Sequence, residues 1–194
     1  MAHTFLNDTP SSFTPSHKQQ LLQLARESIH KGLSGETLAV KVSDYPTLLR
    51  EPRATFVTLE VEAQLRGCIG TLEARQPLVE DVVSNAHGAA FRDTRFPVLT
   101  MTEFKRLEIH ISILSSPEPM EFVSEDDLIA KLRPRVDGLI LEEGIYRGTF
   151  LPAVWEALPV PSEFLRQLKI KAGLNADYWS DRIRVRRYTA ESIP

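Results

Sequence analysis

Cysteine is almost absent: Cys68 is the only one in 194 residues. A lone thiol excludes an intramolecular disulfide and a multi-cysteine zinc site, and it suits a reducing compartment. Charge of one sign is also missing. The formal net charge is -3, with no polybasic tail and no acidic block, so composition argues against nucleic-acid and membrane roles. No stretch reaches the roughly 20 apolar residues of a membrane span. The opening Met1-Ala2-His3-Thr4-Phe5-Leu6-Asn7-Asp8 has no basic segment followed by an apolar run, which sets the expectation of no signal peptide and a cytoplasmic protein. No His-x-x-x-His, His-Glu or Cys-x-x-Cys pattern occurs, and His3, His17 and His30 are scattered, so no metal site or cofactor is expected.

What is present patterns as alternating helices and strands. The first dozen residues read as loosely held. Ser16 precedes Leu21, Leu22, Leu24, Ala25 and Ile29 at helical spacing, closed by Gly32. Pro46 and Pro52 interrupt the mixed stretch 33–54. Residues 55–61 read as a strand and 65–72 as its hairpin partner. Pro77 opens a helix to about Phe91, with Leu78, Val82, Ala86 and Ala90 on one face. Thr100 and Glu103 have capping-box spacing. Leu107, Ile109, Ile111 and Ile113 alternate with Glu108, His110 and Ser112 in the clearest strand. Ser124 caps a short helix, 138–141 and 145–151 form a hairpin, Phe164 to Gly173 is a helix, and Ile183 and Val185 mark a last strand. Hairpins among interspersed helices indicate α+β with mainly antiparallel sheet.

The chemistry concentrates in Leu65-Arg66-Gly67-Cys68-Ile69-Gly70. Uniform strand alternation puts Arg66 and Cys68 on one surface, where a guanidinium beside a thiol favours the reactive thiolate. Gly67 and Gly70 bare the backbone for close approach by a ligand or another chain segment. Cys68 is then a candidate nucleophile, with Arg66, Gly67 and Gly70 as ligand contacts. Packing as a small hydrophobe is the competing reading for a free cysteine. Asp93 and Arg95 offer a carboxylate and a fixed cation in a turn, with Asn85 upstream, as further contacts for a polar ligand; backbone capping is their structural alternative. His87 and His110 are the candidate bases. Arg182, Arg184, Arg186 and Arg187 form a basic cluster, read as a solvated face or a docking patch for an acidic partner.

The hexapeptide resembles the signature of the AMMECR family, whose prokaryotic members are called AmmeMemoRadiSam system protein A. Three further segments resemble family motifs in order: residues 85–97, residues 107–115, and Gly148-Thr149-Phe150-Leu151-Pro152-Ala153-Val154-Trp155 with Lys171-Ala172-Gly173-Leu174. They span about residues 16–188. Ala153 stands where many members carry glutamine and Lys169 where many carry cysteine, so neither of those side chains is essential to an activity of this chain. The resemblance implies two α+β lobes with the hexapeptide near a cleft between them, and association with radical-SAM and Memo-type proteins. The larger lobe is expected from about 14–33 plus 73–188, the smaller from about 34–72. Two functions stay open: an enzyme acting on a small polar or anionic substrate, or a non-catalytic binding or adaptor module.

Overall fold

The computed structural model describes residues 13–194, so the expectation for the first dozen lies outside the described residues. Its elements are α1 (Pro15–Gly32), α2 (Thr47–Arg50), β1 (Ala54–Val61), β2 (Gln64–Gly70), α3 (Leu78–Phe91), α4 (Met101–Phe104), β3 (Leu107–Leu114), β4 (Glu118–Pro119), α5 (Glu125–Lys131), β5 (Gly138–Glu143), β6 (Tyr146–Phe150), α6 (Pro161–Ala172), β7 (Arg184–Tyr188) and β8 (Ala190–Ile193), with 3₁₀ turns at Val42–Asp44 and Pro152–Glu156. The fold is α+β, with two four-stranded, mainly antiparallel sheets ordered β2-β1-β3-β8 and β4-β7-β5-β6. No helix among the described residues is long and apolar enough to cross a membrane.

Local chemistry sets most boundaries. α1 starts earlier than Ser16 suggests, because Thr14 caps it: the Thr14 hydroxyl accepts from the His17 amide and His17 accepts back from the Thr14 amide. The same reciprocal box, Thr100 with Glu103, starts α4 as its spacing predicts. α6 ends at Gly173, whose φ of +93° is the left-handed cap that glycine adopts without strain. β8 and the two-residue β4 escape the sequence reading, since neither is long enough to show a period.

Contacts divide the chain into two compact units, one holding the described part of Met1–Ser112 with Glu191–Pro194, the other Ile113–Ala190. Residues 34–72, expected as the smaller lobe, sit wholly in the first unit with 14–33. The reason is packing: α3 lies on β1 and β2 and also against α1. Leu78, Val82, Ala86 and Ala90 of α3 are buried, as are Val57 and Leu59 of β1 and Leu21, Ala25 and Ile29 of α1. In the second unit the core gathers Leu128, Leu139, Leu141, Trp155, Phe164, Leu168 and Val185. There the Trp155 and Phe164 rings stack at 3.8 Å. The Trp155 indole N–H donates to the Asp137 carbonyl at 2.7 Å, so its one polar atom is satisfied in the core. Lys169, also fully buried, is neutralised by Glu125 at 2.5 Å.

Candidate functional site

The hexapeptide is β2, and its register on β1 carries an irregularity that no linear reading shows. Thr58 faces Cys68 and Leu59 faces Gly67, but Glu60 faces Leu65. Arg66 is therefore the extra residue of a β-bulge, and alternation restarts there. Cross-strand partners share a face. Cys68 thus shares one side of the sheet with Thr58, and Leu65 shares it with Glu60, instead of lying with Gly67 as uniform alternation would have it. Gly67 and Leu59 take the other side, against α3.

The bulge sends Arg66 into the protein. The residue is 9% exposed, and its guanidinium donates to both Glu103 oxygens, at 2.7 and 3.2 Å, and to the Pro97 carbonyl at 2.9 Å. That pairing holds the Glu103 carboxyl well down, from 4.5 to about 2, with the Thr100 hydroxyl and amide assisting against desolvation. A carboxyl whose folded value is depressed stabilises the fold above its unfolded value and loses that contribution as pH falls. We therefore expect a component of acid unfolding between pH about 4.5 and 2, followed by circular dichroism, that Glu103→Gln removes.

The cation beside Cys68 is Arg95. Asp93, almost wholly buried, accepts the Cys68 amide on Oδ2 at 2.8 Å. It also accepts Arg95 Nε on Oδ1 at 2.9 Å and Nη2 on Oδ2 at 2.7 Å. Arg95 Nη2 reaches the Cys68 carbonyl at 3.2 Å. The turn at 93–95 is thus clasped to the peptide units of Cys68 on both sides. The Arg95 hydrogen bonds, together with the Cys68 amide, hold the Asp93 carboxyl well below the usual carboxylate range. The hydrogen bond to Asp93 in turn raises the Arg95 guanidinium. Despite this clasp, the Arg95 side chain is 56% exposed, and its Nη1 makes no hydrogen bond among the described residues.

Cys68 is half-buried, with Sγ 3.3 Å from the Thr58 hydroxyl. No histidine among the described residues hydrogen-bonds to it. His87 packs at a tilt against Phe91 and lines a separate cavity of roughly 500 Å³ with Ser28, Val40, Glu80 and Arg92; burial, then the Arg92 charge, holds its pKa below the ordinary histidine value. Asn85 is not beside the hexapeptide's thiol chemistry either. Its amide donates to Thr55 and Asp81, and Asp81 also accepts from Thr55, Thr71 and Gln76, a buried polar knot that ties α3 to β1. Nor is the space beside the glycines open to a ligand. A Cβ on Gly67 would lie 2.2 Å from the Ala89 carbonyl oxygen, and one on Gly70 2.3 Å from the Phe56 ring.

Sequence reasoning missed two members of this face, Thr58 and Glu60. Glu60, Glu108 and His110 bring their metal-competent atoms within 4.8 Å of one another, the one such group among the described residues. His110 Nε2 lies 3.8 Å from Glu60 Oε2. The expectation of no metal site rested on linear spacing, which cannot show a set drawn from neighbouring strands β1 and β3.

The AMMECR1 family model matches residues 22–193. A protein from Methanothermobacter thermautotrophicus is 38% identical over 177 residues, covering 88% of this chain and 90% of its own. One from Methanocaldococcus jannaschii is 34% identical over 178 residues, covering 88% and 86%. The crystal structure of an uncharacterized protein from Pyrococcus horikoshii is similar with a TM-score of 0.84 at 36% identity, covering 90% of this chain and 89% of that one.

Proposed function

Since the chain belongs to the AMMECR1 family, we propose that its hexapeptide strand is a recognition edge for a small polar or anionic ligand, with Cys68 a contact and not a nucleophile. One observation carries this reading: Arg95 is oriented by Asp93 against Cys68 while more than half of its side chain stays exposed. A pre-oriented guanidinium with a free Nη1 loses little entropy on binding a carboxylate or phosphate. The other charged groups near Cys68 are engaged internally, Arg66 Nε and Nη2 by Glu103 and the Pro97 carbonyl, and Asp93 by Arg95 and the Cys68 amide.

The enzymatic alternative keeps one point in its favour, a guanidinium, Arg95, held against the Cys68 peptide unit. It also requires a base, and the partner of Sγ among the described residues is the Thr58 hydroxyl, too weak an acid-base group for that role. The family resemblance extends the proposal to radical-SAM and Memo-type proteins as partners sharing the ligand, which co-purification from cells expressing all three would reveal.

Inorganic phosphate is the simplest probe. In an amide NMR titration the Cys68 and Arg95 resonances are expected to move together and to saturate. Arg95→Lys, which keeps the charge but loses the fork, is expected to weaken binding about tenfold. Saturating shifts confined to other parts of the chain would overturn the assignment.

A further inference from the structure

The polar face of the first sheet carries a set of donors that the recognition edge does not use. Glu108 and His110 stand two apart on β3, so strand alternation puts them on one face, and Glu60 comes from the neighbouring strand β1. The other face of β3 is the core side, where Leu107, Ile109, Ile111 and Ile113 are all buried. Glu60 and His110 are half-sheltered, with side chains 32% and 38% exposed, and Glu108 is exposed. An ion among the three would therefore rest against the sheet and stay open to solvent on its outer side.

These side chains converge without bonding one another. His110 Nε2 lies 3.8 Å from Glu60 Oε2, too far for a hydrogen bond. Neither glutamate has an arginine or lysine partner among the described residues. Glu62, two residues beyond Glu60, differs: it is paired with Arg106. Two carboxylates this close repel unless a cation lies between them. The third donor is an imidazole and not another acid, and a mixed oxygen and nitrogen set is one that Zn²⁺ takes. The spacing fits as well. Ligand atoms bound to Zn²⁺ at about 2.0–2.2 Å stand roughly 3.3–3.6 Å apart in a tetrahedral shell. The three ligand atoms here lie within 4.8 Å of one another, so closing the shell takes movements of about an ångström, which glutamate rotamers supply.

We propose that Glu60, Glu108 and His110 form a Zn²⁺ site with three protein ligands, its remaining positions open to water or an anion. The imidazole decides against Mg²⁺ and Ca²⁺, which prefer all-oxygen shells. Neither Arg95 nor Cys68 supplies a donor, so the site stands or falls separately from the recognition edge on β2.

The test is calorimetric titration of the full chain with zinc chloride at neutral pH, in a buffer that does not bind metal. Saturable binding of one ion per chain is expected, with a Kd in the micromolar range or tighter. Glu60→Gln, Glu108→Gln and His110→Ala, each checked for folding by circular dichroism, are each expected to weaken binding about tenfold or more. His87→Ala, which alters a histidine elsewhere, is expected to leave it unchanged. Co²⁺ gives a second readout on the unaltered protein, which stands even if a variant fails to fold. It is expected to broaden the amide resonances centred on Glu60, Glu108 and His110, and to give a visible spectrum without the thiolate charge-transfer band that ligation by Cys68 would add. Millimolar Mg²⁺ is expected to displace neither ion. Broadening centred elsewhere, affinity unmoved by all three substitutions, displacement by Mg²⁺, or no saturable binding would overturn the proposal. The last is the signature of the rival arrangement, an imidazolium resting between the two acids without a metal.

Discussion

Gly67→Ala is expected to cost about 3–5 kcal/mol of stability, lowering the melting temperature by about 10 °C. The added methyl would sit 2.2 Å from the Ala89 carbonyl oxygen and 3.1 Å from its carbon. Normal contact needs roughly another ångström, and the obstructing atom is helix backbone, which cannot swing aside as a side chain can. α3 would have to lift off β1 and β2, exposing Val82, Ala86 and Ala90, which are buried there. Gly70→Ala is the matched comparison. Its methyl would meet the Phe56 ring at 2.3 Å, and a half-buried ring can rotate away, so a loss of about 1–2 kcal/mol is expected. Differential scanning calorimetry of the two variants separates them. Equal, small losses would mean that α3 does not rest on the motif as described, and would reopen the view that the glycines bare the backbone for a ligand.

Asp93→Asn should cost about 2–4 kcal/mol at neutral pH, although the two side chains have nearly the same shape. The wild-type carboxylate accepts from the Cys68 amide and from three Arg95 N–H groups. An amide has one acceptor oxygen, and its NH₂ would point a donor at donors. Since the side chain is only 5% exposed, water cannot make good the loss. The sign of the pH dependence follows from the depressed carboxyl of Asp93. Its contribution is complete above the unfolded carboxylate value near 3.9 and fades as pH falls toward the folded one. Wild type and variant should therefore differ most in urea unfolding at pH 7 and converge at acid pH. A gap that stayed constant down to pH 2 would mean that the ionised carboxylate is not what holds the turn.

Much of the fold was legible where the information is local. The four-residue spacing of Leu78, Val82, Ala86 and Ala90 placed α3, strict alternation placed β3, and the Thr100–Glu103 box placed α4. The candidate site was legible as a set of residues and not as an arrangement. The bulge at Arg66 depends on its register against β1, and Arg66 finds Glu103 across 37 positions of sequence. Those facts moved Arg66 from the thiol to the interior and gave its expected place to Arg95. Asn85 reads as part of the site because it lies upstream of Asp93 and Arg95, yet its hydrogen bonds run to Thr55 and Asp81. Thr58 carries no signal of its own, since a threonine in a strand is ordinary; only the pairing opposite Cys68 marks it.

Cys68 serves the recognition edge through its clasped peptide units and not through its sulfur. Cys68→Ser in the phosphate titration tests that most directly, because serine keeps the size, the backbone clasp by Asp93 and the neighbouring Thr58, and removes only the sulfur. The account predicts an affinity indistinguishable from wild type, with the same Cys68-position and Arg95 amides responding. A loss as large as that of Arg95→Lys, in a protein whose melting temperature is unchanged, would contradict it and return Cys68 to the centre of the chemistry.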